Sequence, residues 1–220
     1  MFTIVPPPRG GDIFTLRGVT FSLWYYILPR MKEVILASSS LRRYDILKRA
    51  GIPFTVEDGG YEEDLTLPLP PHELAQHLAA GKAQAVAARH PDALIIGADT
   101  IVVSNGKVFG KPLTGGDARE MLKKLSGVAH DVLTGFVVLD TKTGKKAGRA
   151  VETKVTFRTL SDDEIDAYVA TGEPLGKAGG YAIQGAAARF VEKIEGDMDN
   201  VVGLPLTALL EELAKFGVAV

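Results

Sequence analysis

Three serines and, after Leu41, two adjacent arginines form the segment Ser38–Arg43, and the apolar run Val34–Ala37 precedes them. This order predicts a strand that leads into a helix through a turn rich in hydroxyl groups. The first backbone N–H groups of a helix have no partner within it, and the helix dipole favours negative charge there. Arginine adds a planar, permanently charged group that matches phosphate oxygens. The segment therefore predicts an anion-binding turn; the alternative is a serine that caps the helix beside two solvated arginines.

A carboxylate, Asp99, follows the apolar run Ala93–Ala98. A run of that length and composition predicts a short buried strand. Ligands of α/β sheets bind beyond the carboxyl ends of strands, where a carboxylate can hold a divalent cation, activate a water molecule, or do both. We therefore predict that Asp99 is catalytic; the alternative is that it caps its own turn.

Three further charged residues could complete such a site. Lys111 follows a hairpin that the turn dipeptide at 105–106 predicts, so it could face the same cleft as Asp99. Lys82 lies among small residues in a predicted helix, and Glu63, in an acidic loop, could supply a second oxygen ligand for a cation. The alternative for each of them is an ordinary solvated charge.

A glycine-rich segment, Glu173–Gly185, is the last candidate. Its glycines allow a backbone to approach a ligand closely, Lys177 offers positive charge, and Gln184 offers a donor and an acceptor to the edge of a base. The segment matches neither the P-loop nor the dinucleotide-binding fingerprint, which argues against ordinary kinases and dehydrogenases.

Alternating strands and helices must position these residues. Helices are predicted at 43–50, 73–89, 117–125, 161–170 and 205–216, and strands at 32–37, 52–56, 93–98, 101–104, 107–109, 132–140, 149–157, 181–184 and 190–194. Because hairpins are interspersed, we predict an α/β fold with a mixed, twisted sheet flanked by helices.

Net charge and cysteine content exclude some classes of function. The 220 residues carry a net charge of −2 and contain no cysteine. The small net charge argues against stable nucleic-acid binding. Without cysteine, the chain has no disulfides, thiolate metal ligands or cysteine nucleophiles, which is consistent with a reducing cytoplasm. We therefore expect a cytoplasmic protein.

The first thirty residues differ from the rest, with a proline-rich start at Pro6–Gly11 and an aromatic run at Phe21–Leu28. They lack the basic start and cleavage site of a secretory signal, and the apolar run is too short to span a bilayer. We predict that residues 1–30 are an extension outside the fold and that residues 31–220 form the domain. The alternative is a segment that docks on a partner or a membrane surface.

Six sequence blocks together resemble the Maf family of nucleoside triphosphate pyrophosphatases. They run in family order across residues 32–216 and are Leu36–Arg43, Gly97–Thr100, Gly110–Pro112, Leu125–Gly127 with His130, Lys177–Gly185 and Asn200–Pro205. The resemblance implies hydrolysis of a nucleoside triphosphate to the monophosphate and pyrophosphate, with a divalent cation such as Mg²⁺ or Mn²⁺. It also implies two lobes around a central nucleotide-binding cleft, often a homodimer, and a link to cell-division arrest.

The same resemblance implies roles for individual residues. Asp99 matches the catalytic acidic residue and, with Glu63, would hold the cation. Positions tied to substrate selection match Arg42, Thr100 and Gln184. Other matching polar positions line the cleft, and these are Ser38, Ser40, Arg43, Lys82, Lys111 and Lys177. In the implied reaction, water attacks between the α- and β-phosphates, and Asp99 orients or deprotonates it.

The block Lys177–Gly185 is similar to the branch of the family that acts on dTTP and UTP. Two residues depart from the family pattern: Leu41 stands where proline is usual, and Gly176 where aspartate is usual in this branch. Two alternatives stay open, namely a pyrophosphatase that prefers modified purine nucleotides such as 7-methyl-GTP, and a non-enzymatic division regulator that binds a nucleotide.

Overall fold

A computed structural model describes residues 14–16, 19–21 and 32–218. Backbone contacts divide the chain into two units, Met1–Met31 and Lys32–Val220. In the first unit, strands β1 (Phe14–Leu16) and β2 (Val19–Phe21) pair antiparallel. The remainder of the predicted extension, including its proline-rich start, lies outside the described residues, so its role stays a prediction.

The second unit is built on a seven-stranded mixed sheet flanked by helices, which confirms the predicted fold class. Its strands are β3 (Glu33–Leu36), β4 (Thr55–Val56), β5 (Ala93–Ser104), β6 (Lys107–Phe109), β7 (Ala129–Asp140), β8 (Lys146–Phe157) and β9 (Val191–Glu195). The order across the sheet is β4-β3-β5-β7-β8-β9, and β6 pairs with the last part of β5. Strand β3 runs parallel to β4 and β5, whereas the other described pairings are antiparallel.

The helices of this unit are α1 (Leu41–Lys48), α2 (Pro71–Ala87), α3 (Gly115–Leu125), α4 (Asp162–Ala170), α5 (Met198–Val202) and α6 (Leu206–Ala214). Local signals explain where most of them begin. The Ser40 side chain caps α1, so this helix starts two residues earlier than predicted. Thr114 and Ser161 form capping boxes at α3 and α4, the second of which was predicted. The short helix α5 was not predicted. Within the described ranges, no helix combines the length and the apolar character that a membrane crossing needs.

The predicted strands at 93–98 and 101–104 are one continuous strand, β5. The prediction that Asp99 follows the end of its strand is therefore wrong: Asp99 lies within β5, opposite Gly135 of β7. The physical reason is the long ladder with β7, which runs from Leu94 to Val103 and keeps the polar residues extended. The parallel partner β3 does end opposite Ile96, so Asp99 still lies beyond the carboxyl end of that pair.

A second predicted strand, at 181–184, does not form. The segment lies between two short 3₁₀ segments, Ala178–Gly180 and Ala186–Phe190. The N–H of Ala182 donates to the hydroxyl of Tyr168 at 3.1 Å, so a side chain takes the place of a neighbouring strand. The remaining predicted elements are present, although several of their ends are shifted.

Successive side chains along β5 point alternately to the two faces of the sheet. Ile95 packs in a cluster with Ala83 of α2, whereas Ile96 packs in a different cluster with Leu209 of α6. Since neighbouring side chains of a strand point to opposite faces, Asp99 lies on the α2 face and Thr100 on the other.

Candidate active site

A cleft of about 560 Å³ opens beside β5. Strand β3 pairs with β5 only as far as Ile96, and β6 begins to pair at Val102, so residues 97–101 have no strand partner on that edge. Ten predicted site residues line the cleft, and these are Ser38, Ser40, Arg42, Arg43, Glu63, Lys82, Thr100, Lys111, Lys177 and Gln184. Asp99 lies just beneath the surface of the cleft, because its side chain is only 1% exposed.

Four side chains of alternating charge lie in a row, and these are Asp99, Lys82, Glu63 and Lys111. The ammonium group of Lys82 donates a hydrogen bond to Oδ1 of Asp99 and lies 2.7 Å from Oε1 of Glu63. The same Glu63 oxygen accepts a hydrogen bond from Lys111. The structure thus brings together the two predicted cation ligands and two of the predicted lysines.

Close packing of α2 on the sheet makes this row possible. A Cβ atom on Gly97 would lie 2.1 Å from the carbonyl oxygen of Ala79, and one on Gly135 would lie 2.2 Å from the backbone of Ala75. Both distances are far below van der Waals contact, so glycine at these two positions lets the helix lie directly on the strands. As a result, Lys82 can reach Asp99 within the sheet.

The two lysines also control the charge of Glu63. Burial raises the pKa of its carboxyl group, but the ammonium groups of Lys82 and Lys111 outweigh burial and lower it to about 2. Glu63 is therefore ionised throughout the physiological pH range and can act as an anionic ligand.

The donor set fits a divalent cation. Oδ2 of Asp99 is buried and has no hydrogen-bond partner among the described residues, so one oxygen of this carboxylate is available to a ligand. Within the same part of the chain, no group of three or more histidine, cysteine or acidic side chains forms a complete metal cage. Mg²⁺ commonly binds through one or two carboxylates, with phosphate oxygens and water completing its shell. Asp99 and Glu63 match that pattern.

Two serine side chains organise the turn before α1, and Ser40 caps the helix as the alternative interpretation expected. Oγ of Ser38 accepts the backbone N–H of Ser40 at 3.2 Å, and Oγ of Ser40 accepts that of Arg43 at 3.5 Å. The N–H groups of Leu41 and Arg42 belong to the first turn of α1 and have no carbonyl acceptor within the helix. These two donors and the hydroxyl groups face the cleft and suit an anion.

The two neighbouring arginines have different environments. Arg42 is half-buried and its side chain makes no hydrogen bond within the described part of the chain, so its guanidinium group can bind an anion. Arg43 is only 8% exposed and donates to the Gly203 carbonyl oxygen at 2.8 Å, to Oγ1 of Thr100 at 3.1 Å and to Oγ of Ser38 at 3.3 Å. Three of its N–H donors thus hold the walls of the cleft together, and the others remain for a ligand.

A chain of hydroxyl groups continues from Arg43 into the sheet. Thr134, which was not predicted, donates to the carbonyl oxygen of Asn200 at 2.8 Å and lies 2.9 Å from Oγ1 of Thr100. Because the Thr134 proton is used on Asn200, the Thr100 hydroxyl must donate to Thr134. Thr100 therefore presents only acceptor capacity to the cleft.

The glycine-rich segment provides the opposite wall. Nζ of Lys177 donates to the carbonyl oxygen of Glu173 at 2.5 Å and retains two further donors for a ligand. Gln184 is exposed, and its side chain makes no hydrogen bond to the described residues. Its amide group is therefore free to contact a ligand.

Asp58, for which no role was predicted, also lines the cleft. The N–H of Gly60 and the hydroxyl of Ser39 stabilise its carboxylate and hold its pKa below the usual range. Its sequence signal was weak, because Asp58 is one of several acidic residues in the same loop.

Apolar side chains line the part of the cleft near Gln184, and these are Val102, Val132, Tyr181, Ile183, Val201 and Val202. The Tyr181 hydroxyl lies 2.9 Å from Nε2 of the buried His130. Burial lowers the pKa of His130 to about 4, so this imidazole is neutral at pH 7. The cleft thus has a charged end suited to phosphates and an apolar end suited to the flat faces of a base.

Comparisons with known proteins show the family to which the chain belongs. The sequence profile of the family described as "Maf-like protein" matches residues 33–216. A dTTP/UTP pyrophosphatase of Pelotomaculum thermopropionicum is 50% identical over 187 residues, which cover 85% of this chain and 98% of that protein. Another, from Moorella thermoacetica, is 50% identical over 190 residues, covering 86% of this chain and 98% of that protein. A solved structure of a HAM1 protein from Coxiella burnetii aligns with a TM-score of 0.42 and 15% identity, over 84% of this chain and 98% of that chain.

Proposed function

Because this chain belongs to the Maf-like protein family, we propose that it hydrolyses dTTP and UTP to the nucleoside monophosphate and pyrophosphate. The relatives that carry the name dTTP/UTP pyrophosphatase are about half identical to it over nearly their whole length. The six sequence blocks that suggested this reaction all lie within the matched residues.

One observation carries the proposal: the buried Asp99 lies beside a cleft that is lined by cationic side chains and by the start of a helix. A triphosphate brings about four negative charges near neutral pH, and desolvating them without compensation would be prohibitive. Arg42, Arg43, Lys82, Lys111 and Lys177 supply positive charge, part of which already balances Asp99 and Glu63, and a Mg²⁺ or Mn²⁺ ion would supply the rest.

Each part of the cleft has a defined task in this reaction. The turn Ser38–Arg42 binds phosphate oxygens through backbone N–H and hydroxyl groups, and Lys111 and Lys177 add charge from the other walls. Asp99 accepts a proton from, or orients, the water that attacks between the α- and β-phosphates, using the oxygen that has no protein partner. Asp99 and Glu63 would hold Mg²⁺ or Mn²⁺, which when bound neutralises phosphate charge and makes water more acidic.

Product analysis tests the proposal. Purified protein with dTTP and Mg²⁺ should yield dTMP and pyrophosphate in equal amounts, resolved by ion-exchange chromatography. In ¹⁸O-labelled water, mass spectrometry should find the label in one of these two products and in no free phosphate. Formation of dTDP and free phosphate would overturn the assignment of the reaction. A chelator should abolish turnover, and Mg²⁺ or Mn²⁺ should restore it. The homodimer and the cytoplasmic location expected from the sequence stay predictions.

A further inference from the structure

The carboxylate of Glu173 is held from two sides. Its Oε1 accepts the hydroxyl of Tyr168 at 2.8 Å, and its Oε2 accepts the backbone N–H of Ala186 at 3.2 Å. A Cβ atom on Gly185 would lie 2.3 Å from the same carboxylate. The carboxylate thus packs directly against the backbone at 185–186, and a side chain at position 185 would displace it.

The main chain of Glu173 makes a further contact, with Lys177 of the same glycine-rich segment. Its carbonyl oxygen accepts the ammonium group of Lys177 at 2.5 Å. The residue thus contacts the segment 173–186 near both of its ends, and that segment carries two cleft-lining side chains, Lys177 and Gln184.

The backbone on either side of Gln184 is fixed through the same pair of side chains. On the N-terminal side, the N–H of Ala182 donates to the Tyr168 hydroxyl at 3.1 Å. On the C-terminal side, the N–H of Ala186 donates to Glu173. The Gln184 side chain makes no hydrogen bond of its own within the described structure, so these two contacts fix the backbone from which it extends.

Arg42, which also lines the cleft, lies close enough to Tyr168 and Glu173 to be influenced by their charge. Burial lowers the pKa of the Arg42 guanidinium, and the nearby Tyr168 and Glu173 partly oppose that effect. A fixed negative charge at Glu173 therefore helps to keep Arg42 and the like-charged Lys177 close to each other.

We propose that Glu173 is a positioning residue for the base-selecting end of the cleft, acting through Lys177 and Gln184 without touching the substrate. The inference rests on the proposed function, because it concerns how the same site distinguishes one base from another. A residue that only stabilises the protein would change the free energy of unfolding. Glu173 should instead change mainly the ranking of nucleotides by kcat/KM.

The test compares Glu173→Gln with Glu164→Gln. Glutamine keeps the size of Glu173 but removes its negative charge, and its NH₂ group can bond Tyr168 only if the Tyr168 hydroxyl stops donating to residue 173 and accepts instead. Glu164 lies in α4, bonds Arg158 and Ser161, and does not line the cleft, so it is a matched control. Tyr168→Phe removes the hydroxyl group that donates to Glu173 and accepts the N–H of Ala182.

We expect Glu173→Gln to reduce the ratio of kcat/KM for dTTP to kcat/KM for CTP by about threefold to tenfold, the effect of replacing charge-assisted hydrogen bonds with neutral ones. Hydrogen exchange at the Ala186 amide should accelerate, whereas Glu164→Gln should leave both quantities unchanged. Tyr168→Phe should shift the same ratio in the same direction. An equal loss of kcat/KM for dTTP, UTP, CTP and GTP in Glu173→Gln, or no loss, would overturn the proposal.

A binding measurement separates failure of this inference from failure of the proposed function. The α,β-imido analogue of dUTP resists cleavage between its first two phosphates, so calorimetric titration reports affinity even if the protein hydrolyses nothing. Weaker binding of this analogue to Glu173→Gln, with unchanged binding of the matching cytosine analogue, would support the positioning role. Unchanged binding of both analogues would refute it, whatever the result of the product analysis.

Discussion

The ammonium group of Lys82, on α2, donates a hydrogen bond to the carboxylate of Asp99, which lies within β5 and is almost inaccessible to solvent. A lone buried carboxylate would be costly, and Lys82 compensates its charge on one side only. The other carboxylate oxygen, Oδ2, has no partner in the described structure. Asp99 is therefore stabilised as an anion while one oxygen remains available for chemistry.

The first prediction concerns that oxygen. Asp99→Asn should lower turnover of dTTP by at least about a hundredfold, the lower end of the effect of losing a positioned base. Binding of the triphosphate should survive, because removing a negative charge does not weaken attraction for phosphate. Steady-state kinetics and calorimetric titration measure the two quantities separately. Asp140→Asn is the control, since Asp140 is also buried at the end of β7 but bonds Lys32 and lies outside the cleft. Near-normal turnover in Asp99→Asn would mean that the carboxylate is structural.

The second prediction concerns Lys82. Lys82→Met should reduce the free energy of unfolding by about 3–5 kcal/mol in metal-free buffer, because it leaves Asp99 buried and uncompensated. Added Mg²⁺ should recover part of this loss, since a cation between Asp99 and Glu63 would replace the missing charge. Thermal or chemical unfolding with and without Mg²⁺ measures both effects. Lys154→Met, which breaks an exposed pair with Asp131, should cost at most about 1 kcal/mol. No recovery with Mg²⁺ would argue against a cation at this position.

The third prediction follows from the lowered pKa of Glu63, which is about 2 against an ordinary value of 4.5. A carboxyl group with a lower pKa in the folded state stabilises the fold above the pKa of the unfolded chain and loses that contribution as the pH falls. The contribution of Glu63 should therefore be complete above pH 4.5 and disappear towards pH 2. Glu63→Gln should be less stable than the wild-type protein at pH 6, and the difference should shrink over that acidic range. Glu62→Gln, at the exposed neighbouring position, serves as the control; a constant difference at all pH values would contradict the prediction.

Local signals in the sequence predicted much of this fold correctly. The hairpin between β5 and β6 depends on its own two turn residues, and the start of α4 depends on Ser161 and Glu164 three residues later. Such features involve near neighbours in the chain. The resemblance likewise named the polar residues that the structure brings to one cleft.

Contacts between distant parts of the chain explain what the sequence did not reveal. The extended conformation at Asp99 depends on β7, and the burial of Arg43 depends on Gly203, which lies 160 residues away in the sequence. The resemblance placed Arg42 among the substrate-selecting positions and Arg43 among those lining the cleft, but nothing local in the sequence showed that Arg43 would be buried. Thr134 and Glu173 act through partners that only the fold brings near, so no motif marked their roles.

The fourth prediction concerns the N-terminal extension. Deleting residues 1–30 should leave kcat/KM for dTTP and the melting temperature nearly unchanged, because the family match begins at residue 33 and β3 begins at Glu33. Activity and thermal unfolding of the full-length and shortened proteins provide the comparison. A large loss of solubility or stability would show that the aromatic run Phe21–Leu28 packs on the domain.

The fifth prediction concerns the choice of base by Gln184. Its primary amide can both donate and accept, so it can pair with the O4 and N3–H edge that thymine and uracil share. Cytosine presents an amino group at that edge, and a purine is larger with a different pattern. In the free protein Gln184 is exposed, so discrimination arises only when a base covers the apolar end of the cleft and removes water from the amide.

A polar group that is buried on binding and left unpaired by the wrong base costs about 1–3 kcal/mol. We therefore expect dTTP and UTP to exceed CTP and GTP in kcat/KM. Gln184→Leu should reduce this preference more than it reduces triphosphate cleavage in general, because leucine keeps the bulk and loses the hydrogen bonds. Gln76→Leu, at a half-buried position of α2 outside the cleft, is the control and should leave the ranking unchanged. Kinetics on the four nucleotides decide the matter: equal efficiency on all bases in the wild-type protein, or a loss confined to GTP in Gln184→Leu, would remove Gln184 from base selection.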